Sequence, residues 1–296
     1  MEFNKRAKSF IKLFIKIAVT AVCLWYVSKK IDWNKSLQTI KESDMGWLFL
    51  AMTFFILSKV VSSLRLNNYF RNINLILSEK INLKLYWLGM FYNLFLPGGI
   101  GGDAYKVILL NRSYQYPAKQ LTAAVLLDRI SGVVGLAMLA AAYQYLIFKT
   151  FYSLLLLAAI VPGLLLYYFF VKKVFPSFIK SFQSTLWLGI AVQALQVFCA
   201  YCIMQSLHIY QNQNAYILIF LLSSVIAILP FTIGGLGARE LVFIWGSTQL
   251  MLSKDESVSI SISFYLITLF VSFAGVYWVY KNPLQQVNKS ERVNVY

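Results

Sequence analysis

The chain has 296 residues, of which 59% are hydrophobic and 17% aromatic, and its mean hydropathy is +0.65. Soluble domains are about half apolar and about a quarter charged, whereas only 13% of these residues are charged; the composition excludes an ordinary soluble domain and indicates an integral membrane protein. The formal net charge of +16 does not indicate nucleic-acid binding, because the basic residues are scattered through short connections instead of forming one patch.

The amino-terminal segment carries lysines at helical spacing, at Lys5, Lys8, Lys12 and Lys16. Their long side chains can reach anionic headgroups. The apolar segment that follows, up to about residue 27, resembles a signal sequence, but no small-residue cleavage site follows it, so we interpret it as an uncleaved anchor. A second span is predicted over residues 46–64.

The next apolar run, residues 85–111, is broken in its middle; it reads LYWLGMFYNLFLPGGIGGDAYKVILLN. Unpaired backbone within lipid is tolerated only where it is buried in protein or lines a wet cavity. Each arm of the run is too short to cross about 30 Å at about 1.5 Å per residue. The sequence therefore predicts a re-entrant hairpin here, with a binding site at its break.

A second broken run, LIFLLSSVIAILPFTIGGLGARELVFIW at residues 218–245, repeats the first one. At a constant offset of 133 residues, Leu-Pro falls on Leu-Pro, Ile-Gly-Gly falls on Ile-Gly-Gly, and Lys106 falls on Arg239. The chain thus consists of two related halves. Further spans are predicted over residues 121–148, 151–171, 185–207 and 258–280.

These elements predict an all-α integral membrane protein: a polytopic helical bundle of about six full spans plus two re-entrant broken-helix hairpins in an inverted repeat. Residues 1–296 are expected to form this single domain, with hairpins near residues 85–111 and 218–250. If the amino terminus is cytoplasmic and both broken runs are re-entrant, 17 Lys and Arg residues lie on the cytoplasmic side, 6 outside and 4 within the membrane. The positive-inside rule then favours a multi-pass protein of the cell (cytoplasmic or inner) membrane, N-in and C-in.

The helix that restarts after each Gly-Gly break is predicted to form an anion site. Its first backbone amides point unpaired into the site, together with the positive end of the helix dipole. Lys106 and Arg239 add full charges one turn further on. Asn93, before the first break, either satisfies freed backbone groups or lines the cavity. The glycines could instead serve close packing alone, but their repetition around Leu-Pro favours a site.

Acidic residues near the breaks have two interpretations each. Asp103 either caps the restarting helix or acts in the site. Glu240 pairs with Arg239 or with a charge on another helix, and the Asp128–Arg129 dipeptide belongs either to a structural charge network or to a substrate contact. The candidate substrate-binding residues are Asn93, Gly98, Gly99, Gly101, Gly102, Asp103, Lys106, Asp128, Arg129, Gly234, Gly235, Gly237, Arg239 and Glu240.

Signals of soluble enzymes are missing from the sequence. It has no Walker A, HExxH or GxSxG motif, and its single histidine, His208, excludes a histidine-rich metal site. Cys23, Cys199 and Cys202 lie in apolar stretches and are interpreted as packing residues. We therefore predict no catalytic residues, no metal and no cofactor, and the sequence favours a non-enzymatic role.

At the broken runs the chain resembles the transmembrane flippase-like region of the lysylphosphatidylglycerol synthases, which also occurs as stand-alone membrane proteins. The matching pieces are NLFLPGGIGGDAYKV (residues 93–107), LLDRISGVVGL (residues 126–136) and LPFTIGGLGARE (residues 229–240). The resemblance implies movement of a phospholipid, or of another lipid with a phosphate headgroup, between leaflets. The aminoacyl-transferase domain of the full-length proteins would have to follow residue 296, so synthase activity is not implied. Lys106 stands where the family more often has arginine.

Two other functions are compatible with the same sequence. One is an intramembrane enzyme that acts on a lipid-linked sugar or phosphate, with Asp103, Asp128 or Glu240 as acid or base. The other is a non-transporting subunit that positions a separate lipid-modifying synthase or glycosyltransferase. The expected partners are membrane lipids, with anionic phospholipid favoured, and no nucleic acid; the sequence does not define the oligomeric state.

Overall fold

The computed structural model describes residues 38–95, 101–228 and 235–281, together with Trp25, Lys29, Pro283 and Leu284. Within these residues every regular element is helical. The predicted first span and the two Leu-Pro breaks lie outside the described residues. The α-helices are α1 (Met45–Asn72), α2 (Glu79–Phe95), α3 (Gly101–Tyr114), α4 (Ala118–Phe148), α5 (Phe151–Ala158), α6 (Ile160–Val174), α7 (Phe182–Ser206), α8 (Gln213–Ile228), α9 (Ala238–Gln249), α10 (Lys254–Phe273) and α11 (Tyr277–Tyr280).

Five helical segments of the described chain are long and apolar enough to cross a membrane, namely Met45–Asn72, Ala118–Phe148, Phe151–Val174, Pro176–Ser206 and Lys254–Tyr280. Two of them include the short 3₁₀ turns Pro176–Ser181 and Ala274–Val276. They correspond to five of the six predicted spans. The prediction of a multi-pass helical membrane protein is confirmed.

Local side-chain caps explain where several helices begin. Asp44 accepts a hydrogen bond from the amide of Gly46 at 2.7 Å, at the start of α1. Thr150 and Ser153 cap α5 reciprocally, and Ser253 accepts from the amide of Glu256 at the start of α10. These oxygens satisfy helix-end amides that have no partner within the helix.

The longest helix–helix seam lies between α1 and α7, and it is antiparallel. The Asp44 amide, at the start of α1, donates to the Ser206 carbonyl at the end of α7, at 2.9 Å. Near the other end of the seam, the Asn68 amide group donates to the Ser184 hydroxyl at 3.0 Å. Because α1 and α7 occupy matching positions of the two related halves, corresponding helices run in opposite directions.

Each half contributes a pair of short helices that forms an antiparallel hairpin, α2–α3 in the first half and α8–α9 in the second. Their matching ends, Phe95 and Ile228, are 133 residues apart, as the sequence repeat requires. Each hairpin packs against helices of both halves, since α2 contacts α1 and α10, and α8 contacts α7 and α4. That both hairpins dip into the bilayer and return to the same side stays a prediction.

Two apolar clusters lie at different levels of the bundle. One includes Ala51 and Phe55 of α1, and the other includes Leu66 and Phe70 of the same helix. Polar and charged side chains of α1 lie between these levels, at Ser58, Lys59, Ser62 and Arg65. The bundle therefore has a polar layer midway along α1, and this layer contains the candidate site.

Candidate functional site

A partly open cavity of about 320 Å³ lies in the polar layer, lined by α1, α4, α7, α10 and both hairpins. Sites for small ligands typically measure about 300–1,000 Å³. The cavity is lined by five cationic side chains, Lys59, Arg65, Lys106, Arg129 and Arg239, and by two carboxylates, those of Asp103 and Asp128. When all seven groups are ionised, the lining carries a surplus of three positive charges.

Asp103 is shared by two of the cations. It lies in the first turn of α3 and forms ion pairs with Lys106, one turn further along, at 2.6 Å, and with Arg129 of α4. Lys106 is 3% exposed, and its aliphatic chain packs against Gly89 of α2. The alternative that Asp103 serves as the cap of α3 is wrong, since that helix begins two residues earlier and the carboxylate is used for ion pairs.

Asp128 and Arg129 are adjacent in sequence, but their ion pairs with the described residues are to different groups. Asp128 accepts from Arg65 of α1 at 2.7 Å, and both side chains are buried. The Arg65 guanidinium fits against Gly132 of α4 and Gly189 of α7, since a Cβ atom at either glycine would approach it to within 3.3–3.4 Å. The glycines on α4 thus provide room for a buried cation as well as close helix packing.

Arg239 of α9 has no carboxylate partner among the described residues. Its guanidinium lies over the ring of Phe264 at 4.6 Å and donates to Ser224 at 3.4 Å. Its Nη1 atom is buried without a hydrogen-bond partner in that part of the chain. Arg239, which lines the cavity, therefore has an N–H group at Nη1 that is available to donate a hydrogen bond.

Glu240 does not form the predicted ion pair within the described residues. Its carboxylate accepts from the Gly237 amide at 2.7 Å and from the Ser261 hydroxyl at 2.7 Å. Gly237 has φ +83°, a backbone conformation that favours glycine. The carboxylate thus caps α9, which explains why it is buried beside Arg239 without pairing with it.

The expectation of unpaired amides at the restarting helices is wrong for two of them. The Gly237 amide is used by Glu240, and the Gly102 amide donates to the Asn93 side chain at 2.8 Å. Asn93 also lines the cavity, so both of its predicted roles are present. The side chains of Asn93 and Glu240 therefore accept the hydrogen bonds expected for an anion at these two amides.

Six of the predicted site residues line the cavity, namely Asn93, Asp103, Lys106, Asp128, Arg129 and Arg239. Five others lie beside it in the hairpins and do not line it, namely Gly101, Gly102, Gly235, Gly237 and Glu240. The remaining three, Gly98, Gly99 and Gly234, lie outside the described residues. Substrate contact stays a prediction for all of them.

Two cationic residues of the cavity, Lys59 and Arg65, were not predicted as site residues. Lys59 is the fifteenth residue of the 28-residue helix α1, and an ionisable group that deep in a membrane helix is itself a signal of a functional site. Arg65 directly follows the predicted span of residues 46–64, so the sequence places it outside the membrane helix. The structure extends α1 to Asn72, which places Arg65 within the helix.

The chain is similar to a known protein family and to a membrane protein of an archaeon. A family model described as the lysylphosphatidylglycerol synthase TM region matches residues 13–275. A UPF0104 membrane protein of Pyrococcus horikoshii is 22% identical over 129 residues, and that match covers 43% of this chain and 37% of the relative. Because the family model covers most of the sequence, the chain belongs to the lysylphosphatidylglycerol synthase transmembrane-region family.

Proposed function

We propose that the protein is a flippase-like transporter that moves a lipid with an anionic phosphate headgroup between the leaflets of the cell membrane. The observation that carries the proposal is the cavity itself, in which five cationic side chains face two carboxylates among the residues that the structure describes. Charges at membrane depth are costly unless they are paired or face water, so a surplus of one sign marks a binding site for the opposite sign.

The arrangement of the two halves supports transport rather than simple binding. Transporters built from inverted repeats hold their substrate between discontinuous helices near the bilayer midplane and expose it alternately to the two sides. Here both hairpins contribute a cation to one cavity, Lys106 from α3 and Arg239 from α9. Rocking of one half against the other would open that cavity to one side at a time.

Lipid exchange in reconstituted vesicles tests the proposal. Fluorescent anionic and zwitterionic phospholipids are incorporated, and the label in the outer leaflet is quenched chemically. The wild-type protein should exchange the anionic lipid faster. Arg239→Gln should abolish exchange, because it removes a charge-assisted contact without adding bulk.

The matched control is Arg71→Gln, which removes an arginine that forms an exposed ion pair with Glu79 away from the cavity. This variant should exchange lipid at the wild-type rate. No exchange of any lipid by the wild-type protein, or full activity of Arg239→Gln in the same vesicles, would contradict a transport role for the cavity.

A further inference from the structure

We infer that the cavity binds a headgroup with two or more negative charges, a phosphate monoester or a diphosphate, through Lys59, Arg65 and Arg239. This substrate class deepens the proposed function and rests on it for the lipid as the source of the phosphate. It assigns binding roles to Lys59 and Arg65, and it separates the substrate from singly charged phosphodiester lipids.

The charge balance of the cavity is the first support. Lys106 and Arg129 share Asp103, and Arg65 is paired with Asp128, which leaves Lys59 and Arg239 without a carboxylate among the described residues. Counting the buried carboxylate of Glu240 beside the cavity still leaves a surplus of two positive charges. A phosphodiester with one negative charge would leave that surplus only half compensated, which is unfavourable at membrane depth.

Unused hydrogen-bond donors are the second support. Arg65 is 4% exposed, and its Nη1 atom is buried without a partner in the described chain, although its Nε atom donates to Asp128. The Nη1 atom of Arg239 is in the same state. Buried donors without a protein partner are rare, and such donors are available to a ligand, an ion or ordered water in the cavity. Guanidinium groups suit phosphate because they donate in a planar fork.

Lys59 is the second cation that α1 contributes to the proposed phosphate site, beside Arg65. Its ammonium lies over the Phe55 ring at 4.5 Å, and it forms no ion pair with the described residues. Lys59 and Arg65 approach the cavity from α1, while Arg239 approaches from α9 in the other half of the chain. A phosphate between these helices would receive donors from both halves, and a terminal phosphate offers three oxygens for them.

Binding is measured with the purified protein in detergent at about pH 7.5, where a phosphate monoester with a second pKa of about 6 is doubly ionised. The probes are dihexanoyl phosphatidic acid, a monoester, and dihexanoyl phosphatidylglycerol, a diester. Titration of the melting temperature gives an apparent Kd for each. We expect the monoester to bind at least about tenfold more tightly. Inorganic phosphate is titrated separately, to distinguish a lipid headgroup from a free anion.

Lys59→Met gives a signature that a purely structural lysine would not give. Removing a partly buried charge that has no carboxylate partner among the described residues should raise the melting temperature of the ligand-free protein, because such a charge is unfavourable at membrane depth. The same change should weaken monoester binding by about tenfold. Diester binding should change far less. Lys172→Met makes the same chemical change at an exposed position outside the cavity and should alter neither quantity. Arg239→Gln should weaken monoester binding in the same way.

Equal affinity for monoester and diester would overturn the assigned charge class, even if vesicles exchange lipid and the proposed function stands. Inorganic phosphate binding as tightly as the monoester would overturn the lipid as its source. A monoester preference that depends on Lys59 supports the charge class, even if no lipid is exchanged and the transport role fails. Unchanged monoester affinity of Lys59→Met would overturn the role of that residue.

Discussion

Asp103 and Asp128 hold three of the five cavity cations, and each aspartate joins different helices. Asp103 connects α3 to α4 through Arg129, and Asp128 connects α4 to α1 through Arg65. Because the Arg65–Asp128 pair is buried, removing one partner leaves an uncompensated charge, which costs more than the intact pair contributes. The aspartates therefore fix the positions of cations that would otherwise repel one another.

The Arg65–Asp128 pair yields a prediction about stability. Arg65→Met or Asp128→Leu alone should lower the free energy of unfolding by about 3–5 kcal/mol, and the double variant should cost much less than the sum. Thermal or denaturant unfolding of the four proteins in detergent gives the coupling energy. Asp128 pairs with Arg65 of another helix, whereas its sequence neighbour Arg129 pairs with Asp103.

The exposed pair Arg71–Glu79 provides a control for that cycle. Its side chains are 53% and 43% exposed, so its coupling energy should be at most about 1 kcal/mol. A cycle for Arg65–Asp128 as small as this control, with additive single effects, would show that the buried pair does not act as a unit.

At the scale of elements, the α2–α3 hairpin is held by contact between glycines. A Cβ atom at Gly102 would lie 1.8 Å from the carbonyl oxygen of Gly89, so a side chain cannot fit without moving backbone. The same close approach brings the Lys106 side chain over Gly89 and the Asn93 side chain to the Gly102 amide. The hairpin geometry thus positions both the cation and the carboxamide that face the cavity.

Gly102→Ala should therefore destabilise the protein by at least about 3 kcal/mol, the upper end for overpacked interiors. Gly163→Ala is the matched control, because a Cβ atom there meets nothing within 4 Å and Gly163 is exposed on α6. That control should be neutral or stabilising by up to about 1 kcal/mol, as alanine is the better helix former. Melting temperatures in detergent compare the two, and equal effects would argue against a tight hairpin contact.

At the scale of the whole molecule, periodicity and hydropathy predict the helical membrane bundle and the two halves, because spans and a repeated Leu-Pro break are local signals. Some of the residues with which charged side chains pair are distant in the sequence, so periodicity and hydropathy do not predict them. The sequence places Arg65 after an apolar run, and only the packing of α1 against α4 brings it to Asp128. Likewise, nothing in the sequence distinguishes the use of Glu240 as a cap from an ion pair with its neighbour Arg239.

The predicted orientation of the molecule rests on the distribution of its basic residues. Burial of Arg65 in the cavity removes it from the cytoplasmic count, which becomes 16 against 6 outside, so the bias remains. The predicted orientation places residues 172–180 in the cytoplasm, and it places residues 208–214 and 254–256 outside, with both termini cytoplasmic.

Cysteine labelling tests this orientation in a background without Cys23, Cys199 and Cys202. An impermeant maleimide should label Gln211→Cys on intact cells and Ser177→Cys only after permeabilisation, since both positions are exposed on opposite sides of the predicted bilayer. The reversed labelling pattern would require the opposite orientation.

The α5–α6 segment contributes little to the packing of the bundle. Only 6% of an 18-residue apolar stretch within Phe151–Val174 is buried, and the segment contacts the bundle mainly through α4 and the turn at 176–181. Its contribution is to the number of membrane crossings between the two halves, which decides the direction in which the second half begins. A re-entrant hairpin, as predicted for both halves, leaves the chain on the side where it entered. In that topology, α4 followed directly by the second half would start α7 in the same direction as α1. One extra crossing reverses that direction. In the predicted topology, the α5–α6 segment packs little against the bundle but gives the second half the opposite orientation to the first. Two halves with the same sequence pattern can therefore form an inverted repeat.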